Sequence, residues 1–326
     1  MAWVARFLAL VLAVPCHAGG PVAGVGERIL RERITIGREE REEIYSATGL
    51  AVDDRGGIYV SDQLEYCVKK YNAKGRLVGR TGKRGSGRGE FRAPVTVVAW
   101  RETILVLQIN NTVVQAFSRD LVYLGSRRID GGMPIDIAVS PGGELLVALL
   151  SDEGARERVL VFPSLLGGSP REIIPASGAG GHILFGASKV AAGRDGSVIL
   201  LSLFLNRIAW YTRAGKLLAS ASLPGIADPG VDMGANAPPT GTCFKGIQVD
   251  RRGNVLILAG SLARNPGIDV FVLSPRGKLL GVMKLRRPSR LLAIDRRGHL
   301  YATAEDGTMV KEYVPAEPFL PGGETR

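Results

Sequence analysis

The chain repeats one short pattern six times. In each copy an apolar strand meets a tight polar turn, usually with glycine, and a second apolar strand follows. The copies lie at residues 49–62, 97–102, 137–143, 190–196, 246–257 and 291–301. Their turn markers recur every 41 to 57 residues, and only the copy at 97–102 lacks the glycine. A period of about 40–50 residues is typical of four-stranded propeller blades and exceeds that of short helical repeats.

A second strand–turn–strand pattern follows the first in several repeats. It is clearest at residues 68–77, 208–217 and 270–279, each with a glycine in the turn. Glycine supplies the positive φ that tight hairpin turns need. Short apolar runs bounded by such turns predict strands, and the chain contains no convincing amphipathic helix.

The two ends of the repeat array complement each other. The last repeat stops near residue 314 after three strands, and an unpaired strand at residues 29–36 precedes the first repeat. Adding that strand to the last blade would close a ring and remove exposed sheet edges. The sequence therefore predicts an all-β, six-bladed β-propeller of four-stranded antiparallel blades, in one domain over residues 19–314.

Composition fits a globular protein with a basic balance. The 326 residues are 45% hydrophobic and 22% charged, with 42 Lys and Arg against 31 Asp and Glu. This excludes a disordered chain, and no apolar stretch is long enough to predict a membrane-spanning helix. Cys67 and Cys243 are too few for a disulfide framework and lie in separate repeats, so we expect no bond between them.

The N-terminal 18 residues have the pattern of a secretory signal peptide. Arg6 precedes an apolar run over residues 7–14, and Ala18 suits the cleavage position. We therefore expect export to the periplasm or the extracellular space. A lipoprotein anchor on Cys16 is disfavoured, because Pro15 stands where a small residue is expected. The Pro/Gly-rich segment 315–326 is expected to be a flexible tail.

Residues 82–94 carry a family likeness. This glycine-rich segment ends in Gly89-Glu90-Phe91 and Pro94 and resembles the linker of NHL-repeat propellers, and residues 51–62 are similar to the core of that repeat. The resemblance implies a group that includes RNA-binding domains, extracellular ligand-binding domains and a few metal-dependent lyases and lactonases. Because one architecture hosts many functions, the likeness does not select among them.

The metal-binding residues of the enzymes in this group can be looked for in this sequence. The resemblance implies several zinc-binding histidines in the lyases, but only His182 and His299 follow the leader. The lactonase-like propellers use channel-facing Glu, Asn and Asp. The matching positions here, where the innermost strands begin, are Thr48, Val95, Asp136, Lys189, Lys245 and Arg290. These provide one carboxylate, so we predict no metal site, no catalytic residue and no cofactor; a metal-dependent lyase or hydrolase is the alternative.

Three of these positions suggest a binding site. In a propeller, Lys189, Lys245 and Arg290 would converge near one mouth of the channel, together with Asp136, and could hold an anionic ligand by charge-assisted hydrogen bonds. The alternative is that they are three unrelated surface cations, solvated or paired with Asp136. The leading interpretation is an exported, non-catalytic protein that binds a ligand or a protein partner on this face.

A dense basic stretch occupies residues 69–92. We expect a basic surface formed by Lys69, Lys70, Lys83, Arg84, Arg88 and Arg92. RNA binding is a second alternative, but the accompanying Tyr71 and Phe91 occupy expected core positions, so stacking platforms for single strands are missing. A solvated face, or contact with anionic cell-envelope polymers, fits better.

Two insertions lengthen the connections after the third and fourth blades. They span residues 167–187 and 222–241 and are rich in Gly, Ser and Pro. Long connections in a compact domain are often functional, so these could cover the channel mouth; neutral decoration is equally consistent with the sequence.

Overall fold

The fold is a ring of six four-stranded sheets, as predicted. The computed structural model describes residues 27–37, 43–110, 112–150, 157–173, 183–226, 242–260, 267–304 and 306–315. Each sheet places consecutive strands side by side in antiparallel order. Several features named in the sequence analysis lie outside the described residues: the leader at 1–18 with Cys16, His182, the parts 174–182 and 227–241 of the two insertions, and the tail beyond residue 315.

The strands follow the chain in blade order. Two N-terminal strands are β1 Glu27–Ile29 and β2 Arg31–Ile36. Blade 1 contains β3 Ala47–Val52, β4 Ile58–Asp62, β5 Cys67–Tyr71 and β6 Leu77–Thr81. Blade 2 contains β7 Pro94–Trp100, β8 Thr103–Gln108, β9 Val113–Ser118 and β10 Tyr123–Arg128. Blade 3 contains β11 Met133–Val139, β12 Leu145–Leu150, β13 Glu157–Phe162 and β14 Arg171–Ile173.

The second half of the ring continues the same order. Blade 4 contains β15 Ser188–Ala192, β16 Val198–Ser202, β17 Ile208–Tyr211 and β18 Leu217–Ala221, preceded by a short 3-10 helix, Ile183–Gly186. Blade 5 contains β19 Phe244–Val249, β20 Val255–Ala259, β21 Asp269–Leu273 and β22 Leu279–Lys284. Blade 6 contains β23 Leu292–Ile294, β24 Leu300–Thr303 and β25 Val310–Val314, with β2 as its outer strand.

The first strand of each blade lies innermost. First strands of neighbouring blades contact each other all the way around the ring. They belong to separate sheets and share no ladder of backbone hydrogen bonds. The ring therefore surrounds a central channel, whose wall is formed by β3, β7, β11, β15, β19 and β23.

Each blade buries both faces of its sheet. In β16, Val198 and Leu200 pack in the core shared with blade 3, whereas Ile199 and Leu201 pack in the core shared with blade 5. All four side chains are buried. Strands buried on both faces read as continuous apolar runs rather than alternating patterns, which is why the repeats look uniformly apolar.

One capped turn recurs between the first and second strands. The Oδ1 atom of Asp53 accepts hydrogen bonds from the backbone N–H groups two and four residues later, both at 2.8 Å. Asp250 and Asp295 make the same pair of bonds, at 2.7–2.9 Å. The marker glycine follows each Asp by three residues and has a φ of 83–86°. In the copy without a glycine, Arg101 adopts the positive φ instead, at 51°.

The N-terminal segment joins two blades. β2 pairs antiparallel with β25, with Ile36 opposite Val310, and so completes blade 6. β1 pairs parallel with β22 and extends blade 5 to five strands. The single strand predicted over residues 29–36 is therefore interrupted at Leu30, whose side chain is fully buried in the core between blades 5 and 6.

We expect Ile36→Ala to destabilise the ring strongly. Ile36 is 1% exposed in the core shared by blades 6 and 1, and removing such a side chain costs about 2–5 kcal/mol of unfolding free energy. Urea denaturation followed by circular dichroism measures the change. Arg31→Ala, in the same strand but at an exposed position, serves as control and should shift stability by less than about 0.5 kcal/mol. Equal effects of the two substitutions would contradict closure of the ring by packing of this strand.

Candidate functional site

The central channel is the candidate site. It encloses a cavity of about 330 Å³, within the range of small-molecule pockets. Five of the six positions compared with the lactonase-like propellers line it: Thr48, Val95, Asp136, Lys189 and Lys245. Arg290 is not among the lining residues; it is half-buried just before β23, close to Gly307. The structure thus brings together Asp136 and two of the three predicted cations.

Asp136 connects three neighbouring blades. Its Oδ1 atom accepts hydrogen bonds from Thr96 Oγ1 in blade 2, at 2.9 Å, and from Lys189 Nζ in blade 4, at 3.3 Å. Its Oδ2 atom accepts the backbone N–H of Val190 at 3.2 Å. The carboxylate is 6% exposed, and these donors compensate for its burial. Lys189 is therefore paired with Asp136, which the sequence analysis gave as the alternative to anion binding.

Lys245 makes a similar connection between blades 5 and 6. Its Nζ atom donates to the backbone oxygen of Ser289 at 2.9 Å, and the side chain is almost completely buried. Gln248 donates to the backbone oxygen of Leu292 at 2.9 Å, and Thr48 donates to that of Pro94 at 2.6 Å. Polar side chains of the channel thus bind adjacent innermost strands to each other.

The channel wall has a positive charge balance. Its charged residues are Lys189, Arg194 and Lys245 against the single carboxylate of Asp136. Arg194 and Gln248 were not predicted as channel residues, because only the first position of each innermost strand was compared. Gln248 follows Lys245 by three residues, and Val98, Val139 and Ala192 hold the same place in their strands and also line the channel, so this spacing is a signal for Gln248.

Lys69 does not belong to the basic surface, contrary to prediction. The residue is 3% exposed, and its Nζ atom lies 3.0 Å from Asp62 Oδ2 and 2.5 Å from Glu65 Oε2. It also donates to the backbone oxygen of Glu43. β5 is a third strand with both faces covered, so even its charged residue points inward and needs acidic partners.

The remaining predicted basic residues lie at the periphery. Lys70 pairs with Asp120 at 2.8 Å and Lys83 with Glu90 at 3.3 Å. The guanidinium of Arg84 lies over the Tyr66 ring, 5.5 Å from its centroid, and Arg88 and Arg92 are exposed. Such exposed or weakly paired cations fit a solvated face better than a site for stacking bases.

The glycine-rich segment between blades 1 and 2 is held in place by buried glutamines. Gln115 accepts the backbone N–H of Gly89 at 2.8 Å, and Gln108 accepts that of Arg92 at 2.9 Å. The backbone N–H of Gly87, with Lys83, holds the pKa of Glu90 below its usual range. This segment therefore presents its cations from a fixed backbone.

Histidine and cysteine side chains are engaged in the packing of the fold. His299 Nδ1 lies 2.8 Å from Glu312 Oε1, and Cys67 and Cys243 are buried and not disulfide-bonded, as expected. Within the described ranges, no three His, Cys, Asp or Glu side chains come together as a metal site would require. No helix in that part of the chain is long and apolar enough to cross a membrane.

Comparison with known proteins identifies the fold of this chain but does not identify a family. No protein-family model and no curated protein matches the chain. Solved structures do: a streptogramin B lyase has a TM-score of 0.55 at 11% identity, covering 84% of this chain and 97% of its own. A virginiamycin B lyase from Staphylococcus aureus has a TM-score of 0.56 at 11% identity, and the match covers 87% of this chain and 98% of that one. A luciferin-regenerating enzyme has a TM-score of 0.57 at 12% identity, with 86% and 95% covered. At such identities the likeness defines the class: this chain is a six-bladed β-propeller.

We expect Asp136→Asn to destabilise the protein by about 2 kcal/mol, because a buried charged acceptor with three donors is lost. Thermal and urea unfolding measure the effect. The control is Asp130→Asn, which alters an exposed ion pair with Arg128 and should cost less than about 0.5 kcal/mol. If both variants unfold alike, Asp136 does not hold blades 2, 3 and 4 together.

Proposed function

We propose that this propeller is a binding protein that holds a small anionic ligand in its channel mouth. The observation that carries the proposal is the charge at the channel mouth, where Lys189 and Lys245 stand against one carboxylate, that of Asp136, among the described residues that line a cavity of about 330 Å³. Hydrogen bonds from charged donors are the strong ones in such sites, and the low dielectric of a cavity strengthens them further.

Lys189 is the residue best placed to contact the ligand. Its side chain is 22% exposed, whereas Asp136 is nearly buried beneath it. An ammonium group has three donors, so Lys189 can bind an anion while keeping its contact with Asp136. Lys245 adds positive potential from the neighbouring blade. The ligand class that fits is a small molecule with one or more carboxylate or phosphate groups.

We also propose a family and a cellular location for this protein. The glycine-rich segment at 82–94 supports membership of the NHL-type propellers, and residues 1–18 support export by a cleaved signal peptide. An exported propeller with a basic channel would act on ligands or protein partners outside the cytoplasm. RNA binding is less favoured, because the aromatic residues of the basic stretch, Tyr71 and Phe91, are buried.

We expect the protein to bind citrate, used as a probe of small polycarboxylates, and Lys189→Gln to weaken binding tenfold or more. A hydrogen bond to a charged group contributes about 1.5–3 kcal/mol, which corresponds to that factor. Isothermal titration calorimetry measures the affinity, with inorganic phosphate and neutral glucose as comparison ligands.

The matched control is Lys74→Gln, which removes one exposed positive charge from the opposite end of the propeller. It should leave citrate affinity within about twofold, since screened surface charges at that distance contribute little. If the wild type binds no anion of the panel, or if both variants lose affinity equally, the channel is not the site.

An enzyme of the propeller class is the second candidate. The solved neighbours include proteins named as lyases, and the ion pair of Lys189 with Asp136 places two polar groups beside the cavity of the channel. The metal-dependent form of this hypothesis predicts stoichiometric zinc or calcium in the purified protein. Elemental analysis before and after dialysis against a chelator tests it. Metal at less than about a tenth of the protein concentration, after incubation with excess zinc or calcium and removal of unbound ion, would contradict it.

A further inference from the structure

The hairpins that join the first and second strands form a second face of the ring. Each innermost strand begins at the channel mouth of Lys189 and ends in one of these hairpins, so they surround the opposite end of the channel. Contacts between hairpins confirm the arrangement. Arg296 Nη2 lies 3.1 Å from Asp54 Oδ2, and Arg194 Nε donates to the backbone oxygen of Asp250 at 3.1 Å. We call this end of the molecule the far face.

Arginine recurs at the tips of these hairpins. Blades 1, 2, 4, 5 and 6 each contribute at least one, and all seven are exposed: Arg55, Arg101, Arg194, Arg251, Arg252, Arg296 and Arg297. A tip residue has no partner strand to pack against and is free to be almost any polar type. Arginine at the tips of hairpins from five blades, although not at one fixed position of the turn, therefore creates a ring of positive charge around this end of the channel.

The ring is rigidly presented. Asp53, Asp250 and Asp295 cap the turns beneath the arginines of blades 1, 5 and 6 through the paired N–H bonds described above. These acidic side chains are thereby committed to the turns. Arg101 lies over the Trp100 ring, 4.4 Å from its centroid, which holds it at the far face. The guanidinium groups stand on ordered backbone rather than on long loops.

Only part of this charge is neutralised. Arg55 pairs with Glu102 at 2.9 Å and Arg296 with Asp54. Among the described residues, no acidic side chain forms an ion pair with Arg101, Arg251 or Arg297. Unpaired arginines at one surface bind phosphate and carboxylate groups well, because their planar donors match those anions.

A second, outer set of cations lies on the same face. The hairpins between third and fourth strands also end there, and their exposed basic residues are Lys74, Arg76, Arg213, Lys216, Arg276 and Lys278. Of these, Arg213 pairs with Glu144 at 2.8 Å. Two hairpins between third and fourth strands also carry exposed apolar side chains, Val122 directly before β10 and Leu217 at the start of β18. The far face is thus a disc of positive charge with apolar residues at its rim.

We propose that the far face docks the propeller flat onto an anionic lipid surface. The cations are spread over a disc in two dimensions, not along a stripe, and only a planar partner can engage the inner and outer sets together. A nucleic acid or a polysaccharide chain would cross the disc along one line and leave most of them unpaired. Each basic residue close to an anionic bilayer adds attraction, so a disc of them gives substantial peripheral binding.

Docking by this face has a consequence for orientation. The channel mouth lined by Lys189 and Lys245 would face away from the lipid, open to the surrounding solution. The docking surface and the proposed ligand site share no residue except Arg194, whose side chain lies at the far end of the channel. The two proposals can therefore fail independently.

Vesicle co-sedimentation of the full protein tests docking. We expect the wild type to bind vesicles of phosphatidylcholine mixed with phosphatidylglycerol, and not vesicles of phosphatidylcholine alone. The variant R101E/R251E/R297E should lower the partition coefficient at least about a hundredfold, since three attractive charges are reversed. It breaks no ion pair in the described residues, and unchanged circular dichroism and melting temperature would verify its fold.

The matched control is R84E/R88E/R92E, which makes the same charge change on the channel-mouth face. It should retain most of the vesicle binding, with a partition coefficient within about tenfold of wild type. Charges on the channel-mouth face lie farther from the lipid than a Debye length and are largely screened by salt. Equal losses in both triple variants, or no binding by wild type, would overturn the proposal. Tighter binding of the wild type to single-stranded RNA or heparin than to the vesicles, abolished by R101E/R251E/R297E, would also overturn it.

Discussion

Every blade of this propeller carries apolar side chains on both faces of its sheet, and this constraint governs the rest of the structure. A sheet buried on both faces cannot end the array, because its outer face would meet water. The six principal cores of the described residues each lie between two neighbouring blades, so the array must return to its start. Closure is achieved by β2, which completes blade 6, and by Leu30, which is buried beside blade 5.

The same geometry explains the polar channel. Innermost strands of neighbouring blades touch without sharing a ladder, so their contacts depend on side chains. Thr96, Asp136 and Lys189 connect blades 2, 3 and 4, and Lys245 connects blade 5 to blade 6. Because burial of these groups is costly without partners, each is tied to its neighbour. A ligand in the channel would use the donors that this network leaves accessible.

Much of the fold could be predicted from the sequence, because glycine spacing and apolar runs report backbone geometry directly. Gly56, Gly253 and Gly298 all have the expected positive φ. Side-chain direction was harder to predict. Lys69 was expected at the surface but points inward, since the pattern does not reveal how acidic residues around a third strand are arranged. Arg290 shares its repeat position with Lys245 but does not line the channel: Lys245 lies within β19, whereas β23 begins only at Leu292, two residues after Arg290.

The pairing of the N-terminal segment with blades 5 and 6 affects when the ring can close during synthesis. β2 finds its partner β25 nearly 280 residues later, so it must wait through the synthesis of five blades before it can pair. Such a distant contact is slow to form, and blade 6 remains three-stranded until the end. This pairing joins one of the first strands to be synthesised with the last, and a chain released before residue 310 lacks the strand to which β2 must bind.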